Sequence, residues 1–331
     1  MESSNGVEYA GARRFSVYAW AVTGLTLAVI LWGAFVRASR SGDGCGAHWP
    51  LCNGEVLPDA AHAKTLVEFA HRLTSGLALI LVVALVVWAF RKFRRGHPAR
   101  AAAAASGFFI LTESLIGAGL VLLRLVADNA SVARAVYLSV HLVNTFLLVA
   151  ALALTAWWAR EDGPARASLR GLLRGQSGAA LLATLVLGVS GAVAALGSTL
   201  FPESAGAQHP DLGASPGAQL LFSLRHYKLH PLLALLVGGY LTYFALRAYR
   251  SFGDLWVRRW AASVVALVVA QLGAGLLNAA LLAPVWLQIV HLLLADMLWL
   301  ALVLLSASAH AHVEARANPS ARVGLRTAVE I

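Results

Sequence analysis

Residues 65–90, TLVEFAHRLTSGLALILVVALVVWAF, form a long apolar run with one Glu, one His and one Arg near its start. A run of about 20 apolar residues can cross the roughly 30 Å hydrocarbon core of a bilayer as a helix. Seven similar runs lie near 15–37, 103–124, 135–158, 178–200, 227–249, 259–282 and 285–307. The 331-residue chain is 59% hydrophobic and 13% charged, too apolar for a soluble domain of this length. We therefore predict an all-α polytopic membrane protein with eight transmembrane helices.

Four of these runs contain a histidine close to their start: His71, His141, His230 and His291. A titratable ring is costly in hydrocarbon, so intramembrane histidines are functional candidates. The four runs enter from the same side, which predicts rings at similar depth, and paired imidazoles commonly hold haem iron. The alternative is histidines that bond a neighbouring helix. His226, just before the sixth run and four residues before His230, is a rival ligand on the same helix face.

The chain contains an internal repeat. Gly117-Ala-Gly-Leu recurs at Gly273, His71 recurs as His230, and His141-Leu as His291-Leu, with offsets of 150 to 159 residues. Such self-similarity is typical of duplicated architectures. We expect two pseudo-symmetric four-helix bundles, residues 1–160 and 161–331, related by a parallel repeat.

Alternate loops are basic, and the loops between them are poorer in Lys and Arg. The basic segments contain Arg13, Arg14, Arg91, Lys92, Arg94, Arg95, Arg100, Arg160, Arg166, Arg170, Arg174, Arg247, Arg250, Arg258, Arg259, Arg316, Arg322 and Arg326. Cytoplasmic loops carry this excess, so both termini are predicted to be cytoplasmic and loops 38–64 and 201–222 to lie outside. The same clustering accounts for the net charge of +10, and we expect no nucleic-acid partner.

The outer 38–64 loop and the helix after it contain further candidates. The chain has two cysteines, Cys45 and Cys52, and the compartment of their loop decides between a disulfide and free thiols. Glu68 lies three residues before His71, on the same helix face. A carboxylate there is costly unless it has a partner or a function. It is either a salt-bridge partner of Arg72 or Arg37, or an electrostatic or general-base group.

Four local strings, in this order, resemble the haem A synthase family, membrane enzymes that convert haem O to haem A. Residues 44–54 (GCGAHWPLCNG) resemble its cysteine-containing outer loop, with Ala47-His48 where that family has Pro-Asp. Residues 68–72 (EFAHR) resemble its E-x-x-H-R motif. Residues 141–145 (HLVNT) and 288–296 (QIVHLLLAD) resemble its fourth and eighth helices.

This resemblance implies roles for the histidine pairs. His230 and His291 would hold a haem b cofactor, and His71 and His141, with Arg72, would surround the substrate haem O. The implied reaction oxidises the C8 methyl of haem O to a formyl group, with water as the oxygen source and Glu68 as the catalytic carboxylate. Cys45 and Cys52 would form a disulfide that is either a structural staple or a redox participant.

Other implications concern partners and location. Arg37, Arg72 and Arg225 could pair haem propionates, since arginine offers a bidentate match to carboxylates, although interfacial snorkelling explains them too. The resemblance implies the cell (inner) membrane, haem O synthase and cytochrome oxidase assembly factors as partners, and an unidentified electron acceptor. Two alternatives remain: a di-haem b-type electron-transfer cytochrome, and a non-catalytic haem-binding or transport protein.

Overall fold

Helices make up most of the described structure, as the apolar runs predict. The computed structural model describes residues 2–59, 62–160, 169–201, 215–226 and 229–317. The helices are α1 Glu2–Ala38, α2 Ala63–Lys92, α3 Pro98–Leu122, α4 Val132–Trp158, α5 Leu169–Leu172, α6 Gly175–Leu200, α7 Pro216–His226, α8 Leu229–Ser251, α9 Leu255–Ala280 and α10 Val285–Ala317. Within the described residues, eight of these are long and apolar enough to cross a membrane: α1 to α4, α6, and α8 to α10.

Three of the long helices, α3, α4 and α9, begin at local side-chain caps rather than at the ends of the apolar runs. Ser131 accepts a hydrogen bond from the Arg134 N–H at the start of α4. Asp254 accepts from the first N–H groups of α9. His97 does the same for α3, where Pro98 occupies the first turn. Because a cap satisfies backbone groups that a helix leaves open, it sets the boundary even where hydrophobicity does not change. The observed helix ends therefore differ from the predicted ones by several residues.

Each half of the chain packs as a closed set of four long helices. In the first half α1 contacts α2, α2 contacts α3, α3 contacts α4, and α4 returns to α1. In the second half α6 contacts α8, α8 contacts α9, α9 contacts α10, and α10 returns to α6. The predicted duplication would produce this arrangement, and the symmetry between the halves stays a prediction.

The two halves meet mainly through α4 and α10, the helices that bury the largest share of their residues. Phe146 of α4 stacks on Trp299 of α10, with ring centres 5.2 Å apart. The Trp299 indole N–H donates to the Phe146 carbonyl at 2.6 Å. The apolar side chains of the other helices are largely exposed on the outside of the molecule, for example Ile80, Leu115, Leu235 and Val269. Such surfaces suit contact with lipid.

Candidate functional site

Glu68 is buried near the N-terminal end of α2, where it joins the helix to the preceding loop. Its side chain is 4% exposed and forms an ion pair with Arg72. Arg72 Nη2 donates to Oε1 at 2.5 Å and Nε donates to the same oxygen at 3.2 Å. The other carboxylate oxygen accepts the Cys45 backbone N–H at 2.8 Å. The salt bridge to Arg72, one of the two interpretations of Glu68, is therefore present, and the carboxylate also binds the cysteine loop.

Arg72 fastens this loop to α2. Its Nη1 donates to the carbonyl oxygens of His48 and Leu51, at 2.5 and 2.6 Å. Cys45 and Cys52 are joined by a disulfide, and both are almost completely buried. The Arg72 guanidinium thus links the disulfide loop to Glu68, one turn from His71. Its role toward a haem propionate stays a prediction, since most of its donors already have protein acceptors.

His71 lies against α1 at a position that only glycine fits. A Cβ added to Gly33 would lie 2.8 Å from His71 Cε1, closer than two carbon atoms pack. The buried His71 Nδ1 has no hydrogen-bond partner among the described residues. The helices that carry His71 and His141, α2 and α4, both contact α1.

His141 faces a carboxylate that the sequence analysis missed. Glu113 of α3 places Oε1 3.3 Å from His141 Nδ1, within ion-pair distance although not in an aligned hydrogen bond. Asn144 Nδ2 donates to the other oxygen at 2.6 Å, and Thr145 Oγ1 donates to Oε1. Glu113 is the single acidic residue in the third apolar run. Ionisable side chains are rare in membrane helices, and this applies to carboxylates as well as to histidines. Glu113 could therefore have been recognised as a candidate from the sequence.

The C-terminal pair, His230 and His291, has neutral hydrogen-bond partners. Their ring centres are 6.4 Å apart and the ring planes are nearly perpendicular. His230 Nδ1 lies 2.9 Å from Ser190 Oγ, and His291 Nε2 lies 3.4 Å from the Gln271 amide nitrogen. The His291 Nδ1 is buried and has no hydrogen-bond partner within the described structure. One ring nitrogen of His291 is thus available to a ligand.

The separation of His230 and His291 is compatible with two ligands of one haem iron. Within the described ranges, no group of three or more His, Cys, Asp or Glu side chains could hold a metal ion. A porphyrin supplies the equatorial ligands itself and needs only axial ones from the protein. Two imidazoles on one iron have ring centres about 6 Å apart, given metal–nitrogen bonds of about 2 Å. The 6.4 Å between His230 and His291 fits this requirement.

The remaining arginine and histidine candidates have other placements. Arg37 donates to the Ala195 carbonyl at 3.0 Å and to Thr199 Oγ1 at 2.8 Å. A third bond goes to Gln288 Oε1 at 3.2 Å. Arg37 therefore ties α1 to α6 and α10, and pairing with a propionate stays a prediction. The side chains of Arg225 and His226 lie outside the described structure, as does the loop between α7 and α8, so the rivalry of His226 with His230 is untested.

Asp296, in the fourth of the quoted strings, is a further buried carboxylate. It lies five residues after His291 in α10 and is 1% exposed. Neither of its oxygens has a hydrogen-bond partner among the described residues. A carboxylate in this setting is costly. No carboxylate forms an ion pair with His230 or His291 themselves within the described part of the chain.

The fold and the site define a multi-pass membrane protein with paired histidines inside its helical bundles. Residues 16–303 match the COX15-CtaA family model, described as cytochrome oxidase assembly protein. The chain is 33% identical over 264 residues to "Heme A synthase" of Symbiobacterium thermophilum, a match covering 77% of this chain and 82% of that relative. The chain belongs to this family of cytochrome oxidase assembly proteins, which includes the haem A synthases.

Another relative is considerably longer than this chain. "Protoheme IX farnesyltransferase" of Thermus thermophilus is 51% identical over 300 residues, a match covering 89% of this chain and 48% of the relative. "Heme A synthase" of Alkalihalophilus pseudofirmus is 34% identical over 151 residues, or 46% of this chain and 48% of that relative. The chain thus spans about half the length of the Thermus protein.

Proposed function

We propose that this protein is a haem A synthase, which oxidises the C8 methyl of haem O to a formyl group. The observation that carries the proposal is the unequal surroundings of the two histidine pairs. His71 and His141 have Glu68, Arg72, Glu113 and the disulfide loop nearby, whereas His230 and His291 have a hydroxyl and an amide. Charged groups beside one pair suit a site of chemistry, where developing charge must be stabilised.

The two pairs would hold different haems. His230 and His291 are assigned to a haem b cofactor, because their separation fits two axial ligands and their hydrogen-bond partners are uncharged. His71 and His141 are assigned to the substrate haem O. A bound haem b supplies one-electron transfer. Overall, the methyl group and one water yield a formyl group, four protons and four electrons, which an acceptor outside this chain must remove.

We assign Glu68 the role of catalytic carboxylate. Its contacts limit the chemical roles that it can have. Its charge is compensated by Arg72 and its second oxygen binds the Cys45 N–H. Because Arg72 offsets its negative charge, Glu68 contributes an oriented ion-pair dipole near His71 rather than a net charge, and its assigned role is to stabilise charge that develops at the oxidised methyl. It also holds the Cys45–Cys52 loop over the outer end of α2, where the loop limits access of water. Removing protons would require Glu68 to exchange one of these bonds for a water molecule.

The location and partners follow from the same proposal. We place the protein in the cell (inner) membrane with both termini cytoplasmic, as the distribution of basic loops indicates. A farnesyltransferase that acts on protohaem IX is the natural source of haem O. The Thermus relative supports this partner, because its name gives that activity while this chain matches 48% of its length. Cytochrome oxidase assembly factors would receive the product.

The direct test is haem extraction and mass analysis after expression with a haem O synthase. The wild-type protein should contain haem b and produce haem A. Glu68→Gln should bind haem but lose most haem A formation. Asp43→Asn is the control, because Asp43 is an exposed acidic residue of the loop that Glu68 binds, and its substitution should change haem A formation little. Absence of haem A from folded, haem-loaded wild-type protein would refute the proposal.

One alternative function is favoured by a specific observation. The four histidines by themselves, with His230 and His291 6.4 Å apart, suit a di-haem b-type electron-transfer cytochrome. The cluster around Glu68 argues against it, because electron relay requires no buried carboxylate and arginine beside a ligand. A protein that contains only haem b when haem O is abundant would support this alternative.

A further inference from the structure

Glu113 is a partly buried carboxylate, with its side chain 17% exposed, to which the proposed reaction assigns no role of its own. It projects from α3 toward three polar positions of α4. Its oxygens accept from Asn144 Nδ2 and Thr145 Oγ1, and Oε1 lies 3.3 Å from His141 Nδ1. Asn144 is itself held by Thr112, whose hydroxyl donates to Asn144 Oδ1 at 2.7 Å. The carboxylate is therefore fixed by two side-chain donors while it faces the His141 ring.

The four candidate ligand histidines differ in this respect. His230 faces the Ser190 hydroxyl and His291 faces the Gln271 amide. His71 Nδ1 has no hydrogen-bond partner within the described residues. Among the described parts of the chain, His141 is thus the one of the four whose ring contacts a carboxylate.

The sequence repeat shows that this arrangement belongs to one half. With the offset that pairs Gly117 with Gly273, Glu113 corresponds to Val269. With the offset that pairs His141 with His291, Asn144 and Thr145 correspond to Leu294 and Ala295. The polar cluster around His141 is replaced by apolar residues in the second half. The difference therefore lies in the side chains rather than in the helix arrangement.

We propose that Glu113 is a positioning residue that orients His141 and makes it the strongest electron-donating ligand of the four. The inference rests on the proposed assignment of His71 and His141 to a haem. When a histidine binds a metal through one ring nitrogen, a carboxylate next to the other nitrogen fixes the ring orientation and raises the basicity of the ligand. A more basic ligand stabilises ferric over ferrous iron. Glu113 would thus lower the midpoint potential of a haem held at this site. A lower midpoint potential means that the ferric form of that haem is favoured.

The test measures haem potential and affinity in the full chain, loaded with iron protoporphyrin IX at both sites. Optical redox titration should show two transitions. In Glu113→Gln the N-terminal transition should move to higher potential while the C-terminal one stays unchanged. Haem retention at the N-terminal site should fall by about 10- to 100-fold, the usual loss when such an outer partner is removed. His141→Ala identifies which transition belongs to this site.

Two further variants separate charge from structure. Glu113→Asp keeps the carboxylate and should retain most of the low potential. Ser114→Ala removes a hydroxyl of the same helix that donates to the Ile110 carbonyl, outside the Glu113 cluster, and should not move either transition. Equal shifts in Ser114→Ala and Glu113→Gln, or an unchanged potential in Glu113→Gln, would overturn the inference. If Glu113→Gln shows the expected shift while the wild-type protein makes no haem A, the proposed function is refuted and the role of Glu113 toward a haem stands.

Discussion

At the scale of single residues, two carboxylates in the same half have different partners. Glu68 is paired with Arg72 and binds a loop backbone N–H, so it joins the disulfide loop to the N-terminal end of α2. Glu113 faces His141 and is held by neutral donors, so its charge acts on a candidate ligand. Sequence motifs drew attention to Glu68 because it precedes His71. The contact of Glu113 with His141 depends on how α3 packs against α4, which no local string contains.

Gly33 is predicted to be essential for the position of His71. In Gly33→Ala the new Cβ would lie 2.8 Å from His71 Cε1, so the ring must move. A ligand displaced by about 1 Å can cost about 100-fold in rate, and we expect a loss of this size in haem A formation. Thermal stability should change by less than about 1 kcal/mol, because alanine favours a helix.

The matched control for Gly33 is Gly24, in the same helix. A Cβ at Gly24 meets no atom within 4 Å, so Gly24→Ala should leave haem A formation and N-terminal haem content at the wild-type level. Haem content and product formation measured on both variants give the comparison. Wild-type activity in Gly33→Ala would contradict the assignment of His71 to the site.

Arg72 is predicted to control access to the disulfide. Lysine keeps the charge in Arg72→Lys but cannot bond both the Glu68 carboxylate and the two loop carbonyls at once. The loop should loosen, and the buried disulfide should be reduced faster by a thiol reagent than in the wild type. The control is Lys64→Ala, because the Lys64 side chain forms an exposed ion pair with Asp43. Identical reduction rates in wild type and Arg72→Lys would exclude the anchoring role.

At the scale of elements, the chain marks its helix ends with short polar signals. Asp254 caps α9 by accepting the N–H groups of Trp256 and Val257, at 2.9 and 3.0 Å. His312, near the end of α10, lies 3.4 Å from the other oxygen of Asp254. A local cap therefore also connects α9 to α10 at the end of the bundle opposite the histidine pairs.

The capping carboxylate predicts a pH dependence of stability. Burial alone would raise the pKa of Asp254, but the nearby His312 ring and the hydrogen bonds from the Val257 and Trp256 N–H groups outweigh it and lower the pKa below its usual value. The contribution of this carboxylate is therefore fully present above about pH 4, the pKa in the unfolded chain, and is lost as the pH falls through the folded-state pKa. Asp254→Ala should cost about 0.5 to 2 kcal/mol at neutral pH.

Thermal unfolding of detergent-solubilised protein between about pH 3 and about pH 7 measures this effect, since that range spans the pKa of an aspartate. The difference between wild type and Asp254→Ala should shrink toward the acid end of the range. Asp128→Ala is the control, because its side chain is 76% exposed in its pair with Arg40 and such pairs contribute little. A difference that stays constant with pH would show that the Asp254 charge has no part in the cap.

At the scale of the whole molecule, two contacts join the halves at different depths. Arg37 bridges α1 to α6 and α10 at the outer end through three hydrogen bonds. Phe146 and Trp299 join α4 to α10 deeper in the bundle. Phe146 lies five residues after His141, and Trp299 lies eight residues after His291. The packing that unites the halves therefore also sets the relative placement of the two histidine pairs.

Trp299 is predicted to contribute strongly to the packing between the two halves. Trp299→Ala removes a buried indole and its bond to the Phe146 carbonyl, and should lower stability by about 3 to 5 kcal/mol. Trp286→Ala is the control, since Trp286 is 58% exposed and its removal should change stability by about 0.5 kcal/mol or less. Denaturant or thermal unfolding compares the two, and similar losses in both variants would contradict the central role of Trp299.

The amino-acid sequence alone determined the class of fold and the candidate histidines. Apolar runs of spanning length report directly on the membrane, since each is a local property of about 20 consecutive residues. The rarity of ionisable groups in such runs made His71, His141, His230 and His291 visible, and motif strings pointed to the family. Helix ends were less predictable, because caps of one or two residues decide them.

Only the tertiary structure decided which side chains meet. The approach of Glu113 to His141, of Arg37 to Thr199 and of Trp299 to Phe146 joins residues that are 28, 162 and 153 positions apart. Such contacts depend on how helices rotate and pack against one another, and hydrophobic patterning leaves that rotation open in a membrane, where both lipid and protein are apolar. The surroundings of each histidine, and with them the difference between the two pairs, are therefore properties of the packed bundle.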